Sequence, residues 1–289
     1  MYTIDLAYVG RGLHEELAAY IADQEDYYAD EGVHVALRDG CVWDDERLRH
    51  GATIGLGRTL LTRLTGGAPW VALTVNTHRP LFWFLARSGP TSLTDLAGLR
   101  LAVHAPHTAP GCFARIVLRR AGLDPDRDIQ CVFRPPGDYG MDLRQLRDGT
   151  IDAAFVGSTM APEAIAAEYG WRVLAWVGDH FQIPTVGLAV DPTRIQPDDP
   201  AVQAVVRALR RASKVIHDDP DITVRHIRTF LGRHTEDEAR AHYEAFFAPY
   251  FTVDGQADLA VGAAAIDAVS AELGIPATVT AAEFYRTTP

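Results

Sequence analysis

The alternation of short apolar runs with longer segments of helical periodicity restricts the fold of this chain more than any other feature of its sequence. The alternation extends from Ile4 to Val190, and after Pro200 only helical periodicity remains. Strands separated by helices in this way are typical of βαβ units arranged around mostly parallel sheets. The sequence therefore predicts an α/β protein with a helical C-terminal part.

The predicted elements divide into two α/β runs. The predicted strands are Ile4–Val9, Val33–Leu37, Ala52–Leu56, Trp70–Val75, Leu81–Ala86, Leu99–His104, Ile129–Phe133, Asp152–Val156, Val173–Val177 and Thr185–Val190. The predicted helices are Leu13–Tyr28, Asp44–His50, Arg58–Leu64, Pro110–Ala121, Met141–Arg147, Ala161–Tyr169, Ala201–His217, Ile222–Phe230, Glu236–Phe247 and Leu259–Leu273. The segment Ser88-Gly89-Pro90 separates the runs, because glycine and proline interrupt regular structure. Since the last strand leads back to the first run, we expect residues 1–87 plus 186–289 to form one lobe, with residues 88–185 inserted as a second.

Charge and reactive side chains exclude several classes of function. The formal net charge is −11, and no run of lysines and arginines is present that could bind a phosphate backbone, so nucleic acid is not an expected partner. Lys214 is the only lysine, which leaves a single candidate for any Schiff-base mechanism. The cysteines at 41, 112 and 131 are too widely spaced for a metal pair of the C-x-x-C type, and we expect them to be buried thiols.

The first residues determine the expected location. Met1 leads directly into the first predicted strand, without the basic and apolar regions of a signal peptide. No apolar run reaches the ~18 residues of a membrane span. We therefore expect a cytoplasmic protein without direct membrane insertion. A periplasmic or extracellular location would follow instead if a leader was removed from a longer precursor.

Four stretches occur in an order that resembles one known family. They are Ala22–Val35, Leu48–Gly57 followed by Gly67–Leu73, Leu93–Val103, and Leu146–Phe155. Together they resemble the family that includes the alkanesulfonate- and nitrate-type substrate-binding proteins and the thiamine-pyrimidine synthases. The resemblance covers residues 4–190. It implies a two-lobed, type-2 periplasmic-binding-protein-like fold with a ligand cleft between the lobes.

The same resemblance implies small-molecule binding, and the expected ligand is an anionic organic molecule. Such a protein would deliver its ligand to an ABC transporter or a sensor. No cofactor is expected, since this chain has Gly57 and Leu61 where the thiamine-pyrimidine synthases place a pyridoxal-phosphate lysine and a histidine. The alternative is a cytosolic enzyme on the same scaffold, a lyase, decarboxylase or hydrolase that moves protons on an anionic substrate.

Candidate ligand-binding residues lie where the predicted strands lead into helices. In open α/β sheets, ligands bind outside the carboxyl ends of strands, next to helix N-termini. Arg11 and Arg58 offer a planar fork for a carboxylate, sulfonate or phosphate, although Arg11 and His14 could also be solvated residues of a tight turn. The hydroxyl residues among the candidates are also good helix N-caps. The candidates are Tyr8, Arg11, Gly57, Arg58, Thr59, Asn76, Arg79, Thr108, Tyr139, Ser158, Thr159 and Gln182.

Three histidines would carry proton transfer if the protein is an enzyme, because the pKa of histidine lies close to neutrality. They are His78, His107 and His180. His104 and His107 are close enough in sequence for a metal pair, but no third ligand accompanies them. The sequence therefore predicts no metal site.

Overall fold

The computed structural model describes residues 2–8, 12–39, 51–55, 58–134, 141–158, 161–232 and 235–287. The strands are β1 Tyr2–Tyr8, β2 Val33–Asp39, β3 Ala52–Ile54, β4 Val71–Thr77, β5 Phe82–Ala86, β6 Arg100–Val103, β7 Gln130–Phe133, β8 Ala153–Gly157, β9 Arg172–Trp176 and β10 Thr185–Val190. The α-helices are α1 Leu13–Gln24, α2 Tyr27–Asp30, α3 Arg58–Leu64, α4 Ala109–Arg120, α5 Met141–Asp148, α6 Pro162–Tyr169, α7 Val177–His180, α8 Pro200–Asp218, α9 Pro220–Leu231, α10 Glu236–His242, α11 Leu259–Leu273 and α12 Ala281–Phe284. A 3₁₀-helix spans Leu93–Leu96 and a π-helix spans Tyr243–Phe247. The predicted helix at 44–50 lies outside the described residues.

The strands form two five-stranded sheets in which the strands are arranged in equivalent ways. The first sheet has the order β2-β1-β3-β10-β4, and the second has the order β7-β6-β8-β5-β9. In the first, β1 is parallel to β2 and β3, and β10 runs antiparallel between β3 and β4. In the second, β6 is parallel to β7 and β8, and β5 runs antiparallel between β8 and β9. Each sheet with its helices forms one lobe, and the chain crosses between the lobes immediately before each antiparallel strand.

The first crossing lies earlier in the chain than the sequence predicts. Strand β5 belongs to the second sheet, where Phe82 pairs with Gly157 and Trp83 pairs with Trp176. The predicted boundary after residue 87 therefore does not follow the sheets. An apolar run of this length suits a buried strand in either sheet, because periodicity carries no information about the pairing partner. The second crossing, between β9 and β10, lies close to the predicted boundary after residue 185.

The C-terminal residues contact both lobes. Helix α11 packs against α4 of the second lobe. Beyond it, Tyr285 pairs with Ala72 of β4, and the Arg286 N–H donates to the Ala72 oxygen at 2.8 Å. These contacts cover the edge of the first sheet, which would otherwise expose unpaired backbone groups. Residues 186–289 are therefore not confined to the first lobe, where the predicted boundaries place them.

Apolar clusters cover both faces of the sheets and continue from one lobe into the other. One cluster includes Leu6 of the first lobe and Trp83 of the second, and the other includes Val75 and Phe84. Strands β4, β5 and β10 are buried along their whole length. Their near-continuous apolar sequences are those expected of strands covered on both faces. The two lobes therefore share their core on either side of the crossing strands.

The helix ends follow from local capping residues. At the start of α4, Thr108 Oγ1 accepts a hydrogen bond from the Gly111 N–H at 3.2 Å. At the start of α11, Asp258 accepts one from the Ala260 N–H at 2.8 Å. Gly170 and Gly274 end α6 and α11 in the left-handed conformation that glycine adopts without steric penalty. No helix in the part of the chain that the structure describes has both the length and the apolar character needed to cross a membrane.

Candidate ligand-binding site

Three polar residues follow the parallel strands of the second sheet. His104 comes directly after β6, Arg134 after β7 and Ser158 after β8. Because the carboxyl ends of parallel strands meet at the same edge of a sheet, these residues lie along one edge of the second lobe. The N-terminus of α1, from the first lobe, contacts this edge at Ser158.

Ser158 joins the two lobes through the first turn of α1. Its Oγ accepts a hydrogen bond from the Leu13 N–H at 3.0 Å and lies 3.2 Å from His14 Nδ1. Ser158 and His14 are each 1% exposed. A hydroxyl both accepts and donates, so Ser158 Oγ can hold the Leu13 N–H and the His14 ring at the same time. The contact is thus a buried polar link between the lobes.

Asn76, at the end of β4, holds the same turn from within the first lobe. Its Nδ2 donates to the backbone oxygens of His14 at 3.1 Å and Glu15 at 2.7 Å. Strand β10 has a glycine beside it at position 187, where an added Cβ would lie 2.5 Å from Asn76 Oδ1. Asn76 therefore positions the N-terminus of α1 against Ser158.

Two glutamates in the first turn of α1 are buried. Glu15 is 5% exposed, and Glu16, which is 1% exposed, accepts a hydrogen bond from the Gly12 N–H at 3.0 Å. Glu15 Oε1 lies 3.1 Å from His14 Nε2, but the two atoms are not aligned for a hydrogen bond, and neither has another partner among the described residues. Carboxylates interact favourably with a helix N-terminus, yet buried charged groups normally have full sets of partners. Each such unsatisfied group calls for an explanation, and a bound ligand would be one.

Aromatic rings line the same boundary between the lobes. The ring of Phe82 meets His14 edge-on at 5.1 Å between centroids and stacks on Phe155 at 5.2 Å. His104 packs edge-on against Phe155 at 6.0 Å. The polar first turn of α1 therefore packs against aromatic rings of β5 and β8, which are themselves buried.

Arg134 lies between His104 and Asp142. Its Nη2 is 3.3 Å from His104 Nδ1, and its Nη1 donates to Asp142 Oδ2 at 3.1 Å. Desolvation lowers the pKa of His104 well below its ordinary value, and the charge of Arg134 lowers it further. His104 is therefore neutral at physiological pH, with Nδ1 free to accept from the guanidinium.

Of the predicted ligand-binding residues, the structure brings Asn76 and Ser158 together around α1. Arg79 does not join them: its Nη1 donates to Asp179 at 3.1 Å, and its guanidinium lies 4.4 Å from the centre of the Tyr250 ring. Arg58 and Thr59 begin α3, where Thr59 is buried.

The remaining described candidates have other roles or surroundings. Thr108 donates to the Ala105 oxygen at 2.7 Å and accepts from the Gly111 N–H, so its hydroxyl is used as a helix cap. Gln182 is exposed. Arg11, Gly57, Tyr139 and Thr159 lie outside the described residues, and of Tyr8 only the backbone at the end of β1 is described.

The three predicted proton carriers lie in separate surroundings. His78 Nε2 accepts from the Asp258 N–H at 2.8 Å, and burial lowers the pKa of its ring. His107 and His180 are exposed, and the His180 backbone oxygen accepts from Arg120. No hydrogen bond joins any two of the three. Within the same described ranges, no group of three or more His, Cys, Asp or Glu residues could hold a metal ion.

The sequence left four residues of this cluster unnamed. Glu15 and Glu16 are the acidic residues commonly found in a first helical turn, and nothing in their spacing signals burial. Arg134 directly follows a predicted strand, so the rule used for the other junctions would have found it. Asp142 starts a helix across from Arg134, and only the tertiary structure reveals the pair.

Solved structures with the same architecture include binding proteins and an enzyme. The periplasmic aliphatic sulphonate binding protein SsuA from Escherichia coli is 14% identical, with a TM-score of 0.78 over 99% of this chain and 92% of that one. SsuA from Xanthomonas axonopodis pv. citri, solved with MOPS, is 16% identical, with a TM-score of 0.77 over 99% and 98%. The desulfurization enzyme DSZB is 15% identical, with a TM-score of 0.69 over 99% and 96%. The fold is thus the two-lobed α/β fold of the periplasmic binding proteins.

The sequence itself identifies the family. A model described as the NMT1-like family matches residues 82–226, just over half of the chain. The chain therefore belongs to the NMT1-like family. No curated protein matches it in sequence.

Proposed function

We propose that this protein is a substrate-binding protein that holds one small organic molecule between its lobes, at the first turn of α1. The observation that carries the proposal is the buried link from Ser158 to Leu13 and His14, which joins the second lobe to the first through groups that bind ligands well. Proteins of this fold bind by closing their lobes around the ligand. A ligand in the cleft would lie beside this contact between Ser158 and the first turn of α1.

The sequence predicts an anionic ligand, which needs a cationic side chain in the cleft. Arg79 and Arg134 each bind an aspartate, so neither serves as a simple anion receptor. Arg58, at the start of α3, is a further cationic residue at a strand-to-helix junction that could take this role. The two SsuA proteins, which bind sulfonates, give this part of the proposal its support from related folds.

A substrate-binding protein implies a partner that accepts its ligand. The Escherichia coli relative is periplasmic, and by analogy we propose an ABC importer as that partner and a location outside the cytoplasm. This assignment rests on likeness of fold. We prefer it to the cytoplasmic location, because the relative with this fold is periplasmic.

A second function has one specific observation in its favour. Ser158 Oγ lies 3.2 Å from His14 Nδ1, and Glu15 Oε1 lies 3.1 Å from His14 Nε2 without the alignment of a hydrogen bond. A serine, a histidine and a carboxylate are thus adjacent, as in serine hydrolases. The enzyme DSZB has the same fold. Against this, Ser158 is buried and already accepts the Leu13 N–H, so opening of the lobes would have to precede any attack by its Oγ.

Thermal-shift screening tests the proposal and separates the two functions. Small sulfonates, carboxylates, phosphates and amines are screened, and each hit is recovered and analysed by mass spectrometry. A ligand at one hundred times its Kd should stabilise the protein by about 2.7 kcal/mol. The shift should be lost in Ser158→Ala and retained in the control Ser88→Ala, whose side chain is exposed. A hit that returns unchanged supports binding, and one that is consumed supports the enzyme.

A further inference from the structure

The last part of the chain is bound to β4 of the first lobe at two places. Before α11, the Gly255 oxygen accepts a hydrogen bond from the Val75 N–H at 2.8 Å. After α12, the Arg286 N–H donates to the Ala72 oxygen at 2.8 Å. Residues 255–287, which we call the strap, therefore begin and end on the same strand of the first lobe.

Between these two places the strap is held by the second lobe. Glu272, near the end of α11, accepts hydrogen bonds from Arg115 Nε at 2.6 Å and Arg119 Nε at 2.9 Å. Both arginines belong to α4, and the Glu272 side chain is only 5% exposed. Charged hydrogen bonds are the strong ones among side chains. The strap therefore connects the lobes in addition to the two crossings of the chain.

The strap also touches both crossings. In the first, His78 Nε2 accepts a hydrogen bond from the Asp258 N–H at 2.8 Å. In the second, the Pro184 oxygen accepts one from the Tyr285 hydroxyl at 3.4 Å. Since an α-helix rises about 1.5 Å per residue, Glu272 lies about 21 Å along α11 from Asp258. A rotation of one lobe about the crossings therefore disturbs the Glu272 contact more than these two.

We propose that the contact of Glu272 with α4 is a latch that restricts opening of the two lobes. Because both ends of the strap are bound to β4, rotation of the second lobe displaces α4 relative to these ends. Either the two charged hydrogen bonds then break or the strap deforms, and both events oppose opening. The latch thus favours the arrangement in which Ser158 binds the first turn of α1.

The latch would adjust ligand affinity without touching the ligand. A ligand that binds only the closed lobes binds more weakly as the closed population falls. This consequence is the same for a binding protein and for an enzyme, so the inference does not depend on which of the two functions is correct.

Small-angle X-ray scattering of the ligand-free chain tests the latch. We expect Glu272→Gln to increase the radius of gyration by about 1 Å, against the value of about 19 Å typical of a compact chain of this length. The near-UV circular dichroism should stay that of wild type, because aromatic packing inside each lobe is retained. Glu244→Gln, at an exposed glutamate, is the matched control and should keep the wild-type radius.

Other results would overturn the latch. An unchanged radius in Glu272→Gln would mean that the contact does not restrain the lobes. An increase accompanied by loss of the near-UV signal would mean that the variant unfolds instead of opening. If Glu272→Gln does not fold, Arg119→Gln removes one of the two hydrogen bonds at a side chain that is 41% exposed. The latch then predicts a smaller increase of the same sign, and no increase would contradict it.

Discussion

A glutamate is buried in each of two regions, and the surroundings of the two glutamates differ. The first region is the contact between α4 and α11, called the joint below, and the second is the first turn of α1. The side chain of Glu272, in α11, is 5% exposed and accepts from Arg115 Nε at 2.6 Å and Arg119 Nε at 2.9 Å. The side chain of Glu15 is 6% exposed, and in the described part of the chain its Oε1 has no hydrogen-bond donor, although His14 Nε2 lies 3.1 Å away without alignment. At similar burial, Glu272 accepts two charged hydrogen bonds and Glu15 Oε1 accepts none. The first carboxylate belongs to a joint that stabilises the fold, and the second lies in the helix turn that contacts the second lobe.

The largest expected effect concerns the joint. Glu272→Gln leaves Arg115 and Arg119 without their shared carboxylate, and we expect the free energy of unfolding to fall by about 2 kcal/mol. The loss is smaller than for a fully buried pair, because the Arg119 side chain is 41% exposed and Arg115 also binds Asp126. Urea denaturation measures the change, with Glu244→Gln as the exposed control. An effect no larger than that of the control would contradict a structural role for Glu272.

The next effect concerns the link between the lobes. Ser158→Ala leaves the Leu13 N–H and His14 Nδ1 without their partner, which should lower the free energy of unfolding by about 1 kcal/mol. The same urea titration measures it, beside Ser88→Ala. A neutral result would mean that the buried link contributes nothing to the closed arrangement of the lobes.

Glu15→Gln should differ sharply from its counterpart at the joint. Because no described residue donates a hydrogen bond to Glu15 Oε1, the substitution should change the free energy of unfolding by no more than about 0.5 kcal/mol, and removal of a buried charge could raise it. Urea denaturation of both glutamine variants under one set of conditions gives the comparison directly. Equal losses at the two positions would remove the distinction between joint and site.

The smallest effect concerns pH at the other end of α11. His78 accepts from the Asp258 N–H, and burial lowers the pKa of its ring, against the opposing effect of the Asp258 and Asp254 carboxylates. The unfolded chain therefore binds the proton more readily than the folded chain. The neutral His78 ring therefore favours the folded state above the ordinary histidine pKa of about 6.5. This contribution to the free energy of unfolding is lost as the pH falls below that value.

The contribution of His78 is measured as a difference. We expect wild type to lose up to about 0.5 kcal/mol more than His78→Gln when the pH falls from about 7.5 to 5.5, since glutamine keeps an acceptor that does not titrate. The comparison is needed because His104, with its lowered pKa, also destabilises the folded state in acid. Identical pH profiles for the two proteins would exclude a titrating role for His78.

Much of the fold could be predicted from local patterns. Helix α3 was predicted with its observed bounds, and the strand at 185–190 was predicted likewise. The predicted helix Leu13–Tyr28 was too long, because the chain turns at Asp26 in a left-handed conformation before α2. The predicted helix Glu236–Phe247 is α-helical only to His242 and continues as a π-helix from Tyr243. Periodicity does not reveal this change of hydrogen bonding.

The candidate site was predicted only in part, and the reason is physical. The junction rule found Asn76 and Ser158, because a polar residue at the end of a strand is a local feature. The burial of Glu15 and Glu16 depends on the second lobe resting against α1, and no spacing within α1 records that contact. Two acidic residues in a first turn have the same sequence pattern whether they face solvent or a closed cleft.

By itself the sequence determined the α/β class, the type and approximate position of most elements, the family resemblance and the junctions at which a ligand could bind. These properties depend on periodicity, capping and turns, which act over a few residues. The tertiary structure decided that β5 belongs to the second sheet, that α11 packs against the second lobe, and that Glu272 accepts two hydrogen bonds while Glu15 Oε1 accepts none from the described residues. Those outcomes depend on contacts between residues far apart in the chain, which packing alone brings together.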